Sequence, residues 1–142
     1  DTSYGVRYAN LSNRVIDAQF QAIRDFAEES SCVIVGRSSD YILRDRDDVL
    51  NVFVYAPEKA EVAAVMAKEG MNERKATAKW EEVEKAQHAR HAYITGKKRG
   101  DRHTRNILID SSLLGWEKTA ELIIDIVEQK YVAAEDIVDA AV

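Results

Sequence analysis

VLNVFVYAPEKAEVAAVMAKEG, residues 49–70, passes from a strand to a helix with one proline between them. Its first eight residues are rich in β-branched and aromatic side chains, which suit a pleated, packed surface. Pro57 cannot donate to a sheet ladder but suits the first turn of a helix, and Gly70 suits the end of that helix. Val62, Met66 and the alanines between them give the helix an apolar stripe. This strand-to-helix step sets the fold class, because the same alternation recurs on both sides of it.

Downstream, Asn72 is placed to cap a longer helix reaching about residue 93, with Ala76, Trp80 and Val83 on its buried face. TGKKRGDRHTR, residues 95–105, reads as a polar loop. NILID, residues 106–110, reads as a strand. A closing helix is expected over residues 116–129, with Ala120, Ile123, Ile124 and Val127 turned inward. The tail YVAAEDIVDAAV, residues 131–142, either forms a helix or packs on a partner.

Upstream, CVIV, residues 32–35, is a short apolar run after a Ser-Ser break and reads as a buried strand, with Cys32 a small core residue. A short helical turn over residues 41–43 and a charged turn over residues 45–48 follow it. Leu11, Val15, Ala18, Ile23 and Phe26 recur at mostly helical spacing, which predicts a helix over residues 11–29. Residues 1–10 show no period and read as an irregular lead-in. Short apolar strands separated by helices predict an α/β domain with parallel strands covered on both faces. Three strands make a small sheet, so at least one further element is expected from elsewhere.

The 142 residues fit a single domain. A net charge of −5 argues against a general nucleic-acid or membrane-surface binder. No apolar stretch approaches the roughly 20 residues of a membrane span, and no signal peptide is visible. The single cysteine excludes an internal disulfide and points to a reducing, cytoplasmic setting.

Open α/β sheets bind ligands beyond the carboxyl ends of their strands, here residues 36–40, 56–57 and 110–112. Gly36 allows close backbone approach, and Arg37 offers a planar fork of donors suited to phosphate or carboxylate. Arg37 otherwise pairs with Asp40 or Asp45 and closes a turn. Lys97, Lys98, Arg99, Arg102 and Arg105 oppose one acid, Asp101, in an acidic protein. That loop either closes over a polyphosphate or is a solvated charge run. Glu84, His88 and His91 share a helical face, which serves a metal or simply faces solvent. Neither G-x-x-x-x-G-K-[ST] nor G-x-G-x-x-G occurs in the 142 residues.

CVIVGRSSDYILRD, VLNVFVYAPEKAEVAAVMAKEGMNE, YITGKKRGD and NILIDSSLLGWEKTAELI, in this order and spacing, resemble the cytidylate kinase-like family. The resemblance implies a parallel-sheet, P-loop kinase-like three-layer sandwich, with the N-terminal strand and P-loop not present in these residues and expected upstream of Asp1. It implies transfer of the γ-phosphoryl group of ATP to a nucleoside monophosphate, with Mg2+. Separately, the incomplete sheet and the apolar tail residues Val132, Ile137 and Val138 suggest a partner surface such as that of a homodimer. Gly36 and Arg37 would then meet the acceptor, with Arg37 on its phosphate and Asp40 nearby. Residues 84–105 correspond to a lid, in which Lys97, Lys98 and Arg102 approach the phosphates. Asp110, Ser111 and Ser112 form the turn near the donor's adenine. The lid helix of relatives carries D-K-A-R where this chain has Glu84-Lys85-Ala86-Gln87. Arg90, one turn on, shares a face with Gln87 and can supply the missing charge. The alternative is a non-catalytic nucleotide-binding or dimerising module that has lost transfer chemistry.

Overall fold

The computed structural model describes the backbone of residues 2–132 and the side chains of residues 13–131. Two compact units divide the chain, Asp1–Arg46 and Asp47–Val142.

The first unit is built on helix α1, Thr2–Glu29. The helix begins well before its apolar period does, so the expectation of an irregular segment over residues 1–10 does not hold from Thr2 onward. Propagation adds one hydrogen bond per residue fixed, and residues 2–10 contain only Gly5 as a weak breaker. A four-residue helix, α2 (Ser39–Ile42), packs on α1, and Ile23, Ile42 and Leu43 are the buried apolar residues. An ion pair between Arg46 and Glu28 ties the end of the unit back to α1.

Between these helices, residues 32–35 form no strand and pair with none among the described residues, where a strand was expected. Val33 is 93% and Val35 86% exposed, and Cys32 is exposed as well. This corrects both the buried strand and the core role of Cys32. Apolar β-branched residues favour extended backbone, but a strand is completed only by a neighbour that takes its amides and carbonyls.

The second unit holds a two-stranded parallel sheet, β1 (Val52–Tyr55) and β2 (Ile107–Asp110), in the register Val52↔Ile107 to Tyr55↔Asp110. Their crossover carries α3 (Glu58–Glu69) and α4 (Glu73–Thr95), which pack on each other. Pro57 stands at the N-cap of α3, and Gly70 ends it at φ 63°. Ala76 is wholly buried and Val62 nearly so, as the pattern predicts. Val83 does not follow: it is 43% exposed, whereas His91 two turns on is buried. The Trp80 indole N–H donates to Glu61 across the α3–α4 pair, which turns that face into a mixed polar contact.

Asn72 caps α4, its side-chain oxygen accepting from the Lys75 amide at 3.0 Å. Asn72→Ala is expected to cost about 1 kcal/mol of stability, readable as a lowered urea midpoint with an unchanged slope.

After β2 comes α5, Trp116–Val127, continued by one π-helical turn over Glu128–Val132. Lys130 Nζ donates to the Val49 carbonyl at 3.3 Å, holding this turn near the start of β1. The inward face expected for α5 is corrected by the structure. Thr119 is its buried residue, Ala120 is exposed, Ile124 is 54% exposed and Ile123 is half-buried. An amphipathic period fixes which residues share a face, not whether a neighbour covers that face. Residues 133–142 of the expected tail lie outside the described residues.

Candidate functional site

The first unit presents Gly36, Arg37 and Asp40 on one tight turn. Gly36, Arg37 and Ser38 hold φ of 72°, 57° and 56°, three successive left-handed residues. Only the first is a glycine, so the other two carry backbone strain of about 1 kcal/mol or more each. The turn is pinned at its far end: the Gly36 carbonyl accepts from Ser39, and the Ser38 carbonyl accepts from Tyr41 and Ile42. Ser38 and Asp40 are buried, and both are bonded within the fold.

Arg37 is exposed, and among the described residues its guanidinium has no ion-pair or hydrogen-bond partner. The turn-closing pairs expected for it with Asp40 or Asp45 are not formed; Asp45 stands 3.9 Å from Arg44 instead. A strained turn thus projects an unengaged fork of donors into solvent.

The other candidates belong to the second unit. The loop over residues 97–105 is more ordered than a solvated charge run. Gly96 ends α4 at φ 68°, with its amide donating to Ala92, and the Thr95 hydroxyl accepts from the Lys97 amide at 3.0 Å. Arg99 pairs with Glu84 at 2.7 Å. Asp101 caps a 3-10 turn over Arg102–Thr104 by accepting from the His103 amide at 2.9 Å. Lys97, Lys98 and Arg102 remain exposed. Glu84 also stands 3.5 Å from His88 Nδ1, so its carboxylate is committed to this polar face.

The His103 amide holds the Asp101 carboxyl below the usual carboxylate range, and the charges of His103, Lys97 and Arg102 act in the same direction. Because the folded value is depressed, the stabilisation is fully present above the unfolded value of about 4 and is lost as pH falls through the folded value. Native-state hydrogen exchange at the His103 amide is therefore expected to quicken only below about pH 4, beyond its intrinsic pH dependence, and Asp101→Ala should abolish that step.

At the carboxyl end of β2, Asp110 Oδ1 accepts from both the amide (2.8 Å) and the hydroxyl (2.7 Å) of Ser112. Ser111 is buried and donates from its amide and its hydroxyl to the Tyr55 carbonyl, at 2.9 and 3.2 Å. The turn locks the two strand ends together. Beside it lies an open cavity of about 360 Å3, walled by Tyr55, Ala60, Ala64, Ser111 and the exposed Trp116. Tyr55 and Trp116 are absent from the sequence-derived candidates. The aromatic placed just after the turn was the available signal.

The order of these elements, from the glycine–arginine turn through the basic loop to the Asp-Ser-Ser turn, can be set against known families. The cytidylate kinase-like family matches residues 2–113. The chain belongs to that family. The cytidylate kinase-like chain is also similar to a solved structure described as an uncharacterized protein from Eubacterium ventriosum ATCC 27560. The two share 27% identity with a TM-score of 0.76 over 81% of this chain. The chain spans 65% of the length of that protein. No curated protein matches it.

Within this cytidylate kinase-like protein Gln87 and Arg90 lie on α4, and Arg90 is half-buried and engaged by a neighbour. Among the described residues no helix is long and apolar enough to cross a membrane, and no group of three or more His, Cys, Asp or Glu could hold a metal ion.

Proposed function

We propose that the protein takes part in transfer of the γ-phosphoryl group of ATP to the phosphate oxygen of a nucleoside monophosphate, a pyrimidine nucleotide by preference. The products are ADP and a nucleoside diphosphate. The observation that carries this reading is Arg37: exposed, without a partner among the described residues, and fixed by a strained turn behind Gly36. A guanidinium held in this way can grip a phosphate through two parallel charge-assisted hydrogen bonds. Asp40, buried in the first turn of α2, lies three residues on from Arg37.

In the same reading Lys97, Lys98 and Arg102 neutralise charge on the transferring phosphate, with Arg90 in support, while Asp110, Ser111 and Ser112 border the place of the donor's base. Catalysis of this type is positioning and electrostatic stabilisation rather than covalent chemistry. The described residues offer Mg2+ no ligand cluster, so the ion belongs to this reading as a counter-ion of the nucleotide's phosphates, and no step is assigned to it. The 142 residues contain no phosphate-cradling glycine loop, so the reading requires that residues beyond them hold the donor phosphates in a P-loop three-layer sandwich.

A second reading is favoured by Gln87, which is neutral where the family resemblance calls for an arginine: a nucleotide-binding or self-associating module without transfer chemistry. Coupled measurement of ADP release, with each nucleoside monophosphate as acceptor, separates the two. Turnover supports the kinase. Nucleotide binding without turnover supports the module.

A further inference from the structure

We propose that Phe53 is a positioning residue that latches the basic loop into the shape in which it meets phosphate. The inference rests on the phosphoryl-transfer reading for the loop's ligand, but the latch itself can be tested without it. Phe53 lies in the middle of β1, held by its register opposite Leu108. The Arg99 and Arg105 guanidinium carbons stand 5.7 and 5.5 Å from its ring centroid, within the reach of cation–π attraction. Gly100 approaches so closely that a Cβ there would lie 2.8 Å from the ring edge. Tyr55, on the same face of the strand, stacks against the ring at 6.2 Å.

Five cations between residues 97 and 105 repel one another and favour an open loop. The ring and Glu84 engage Arg99, and the ring draws in Arg105, so the arginines at both ends of residues 99–105 are held on the fold. Lys97, Lys98 and Arg102 are left exposed on a loop whose path is already set. A preformed group of three cations meets a polyphosphate at a lower ordering cost than a mobile loop does. Phe53 acts through the loop and touches no substrate.

The test compares Phe53→Leu, which keeps an apolar side chain but removes the π face, with Phe53→Tyr, which keeps both. Two readouts are needed: the rate of tryptic cleavage within residues 97–105 under native conditions, and the affinity for inorganic pyrophosphate. Phe53→Leu is expected to raise the cleavage rate about tenfold and weaken pyrophosphate binding several-fold, and Phe53→Tyr to restore both. Glu84→Gln, which loosens Arg99 from the other side, should act in the same direction and serves if Phe53→Leu does not fold. Wild-type cleavage rates in folded Phe53→Leu overturn the latch, as does failure of Phe53→Tyr to restore protection. Wild-type protein without affinity for pyrophosphate overturns the phosphate reading of the loop, while the cleavage rates still decide the latch.

Discussion

Arg37→Ala, in protein expressed from its complete reading frame, is expected to lower kcat/KM for the acceptor nucleotide by about 100-fold or more. Two charge-assisted hydrogen bonds to phosphate, each worth about 1.5–3 kcal/mol, set that scale. The fold should not register the change. Arginine and alanine are both L-residues at φ 57°, so the strain of the turn is carried over, and among the described residues the side chain leaves no partner behind. The melting temperature is therefore expected to stay near wild type while the kinetic constant falls. Arg37→Lys should recover only part of the loss, because an ammonium is a point charge and cannot reproduce the planar fork. Wild-type kinetics in Arg37→Ala would remove this residue from the site and leave its strained turn without a functional explanation.

Gly100→Ala is expected to have the largest effect on stability, about 2–3 kcal/mol. Two costs combine at this position. Its φ of 81° is unfavourable for any residue with a Cβ, and that Cβ would meet Phe53 Cε1 at 2.8 Å. The ring cannot retreat freely, since Arg99, Arg105 and Tyr55 crowd it. Thermal unfolding should show a midpoint lowered by several degrees. Gly96→Ala is the matched control: its φ of 68° is also positive, but a Cβ there would meet nothing within 4 Å. The control is expected to lose only about 1 kcal/mol. Equal losses in the two variants would mean that contact with Phe53 adds nothing.

Local chemistry was the part of the fold that could be read in advance. Pro57, Gly70 and Asn72 mark helix ends because cap positions depend on the residue at the cap and its immediate neighbours. The strands over residues 52–55 and 107–110 and their parallel pairing follow from apolar runs separated by a helical crossover. What failed depended on partners distant in sequence. Val33, Val35 and Ile124 carry the side chains of buried elements, and each is more than half exposed. Burial is a property of the neighbour as much as of the residue.

The site divided along the same line. The turns at Gly36–Arg37 and at Asp110–Ser112 were legible as turns because glycine and an Asp-Ser-Ser run have short-range signatures, although the first leaves no strand among the described residues. That Arg37 has no partner among the described residues, and that Arg99 and Arg105 converge on Phe53, could not be read from spacing. The residues joined by the latch are 46 and 52 positions from Phe53 along the chain, and only the folded crossover brings them to one ring. Tyr55 and Trp116, beside the cavity, were missed because an aromatic at a strand end or a helix start reads first as core.

The most direct test of the central claim is ADP release by the protein expressed from its complete reading frame. ATP is supplied with one nucleoside monophosphate at a time, and wild type is compared with Arg37→Ala. The account predicts ADP formation that depends on the acceptor, fastest with a pyrimidine nucleotide and sharply reduced in the variant. Nucleotide binding with no acceptor-dependent ADP formation for any monophosphate would contradict it.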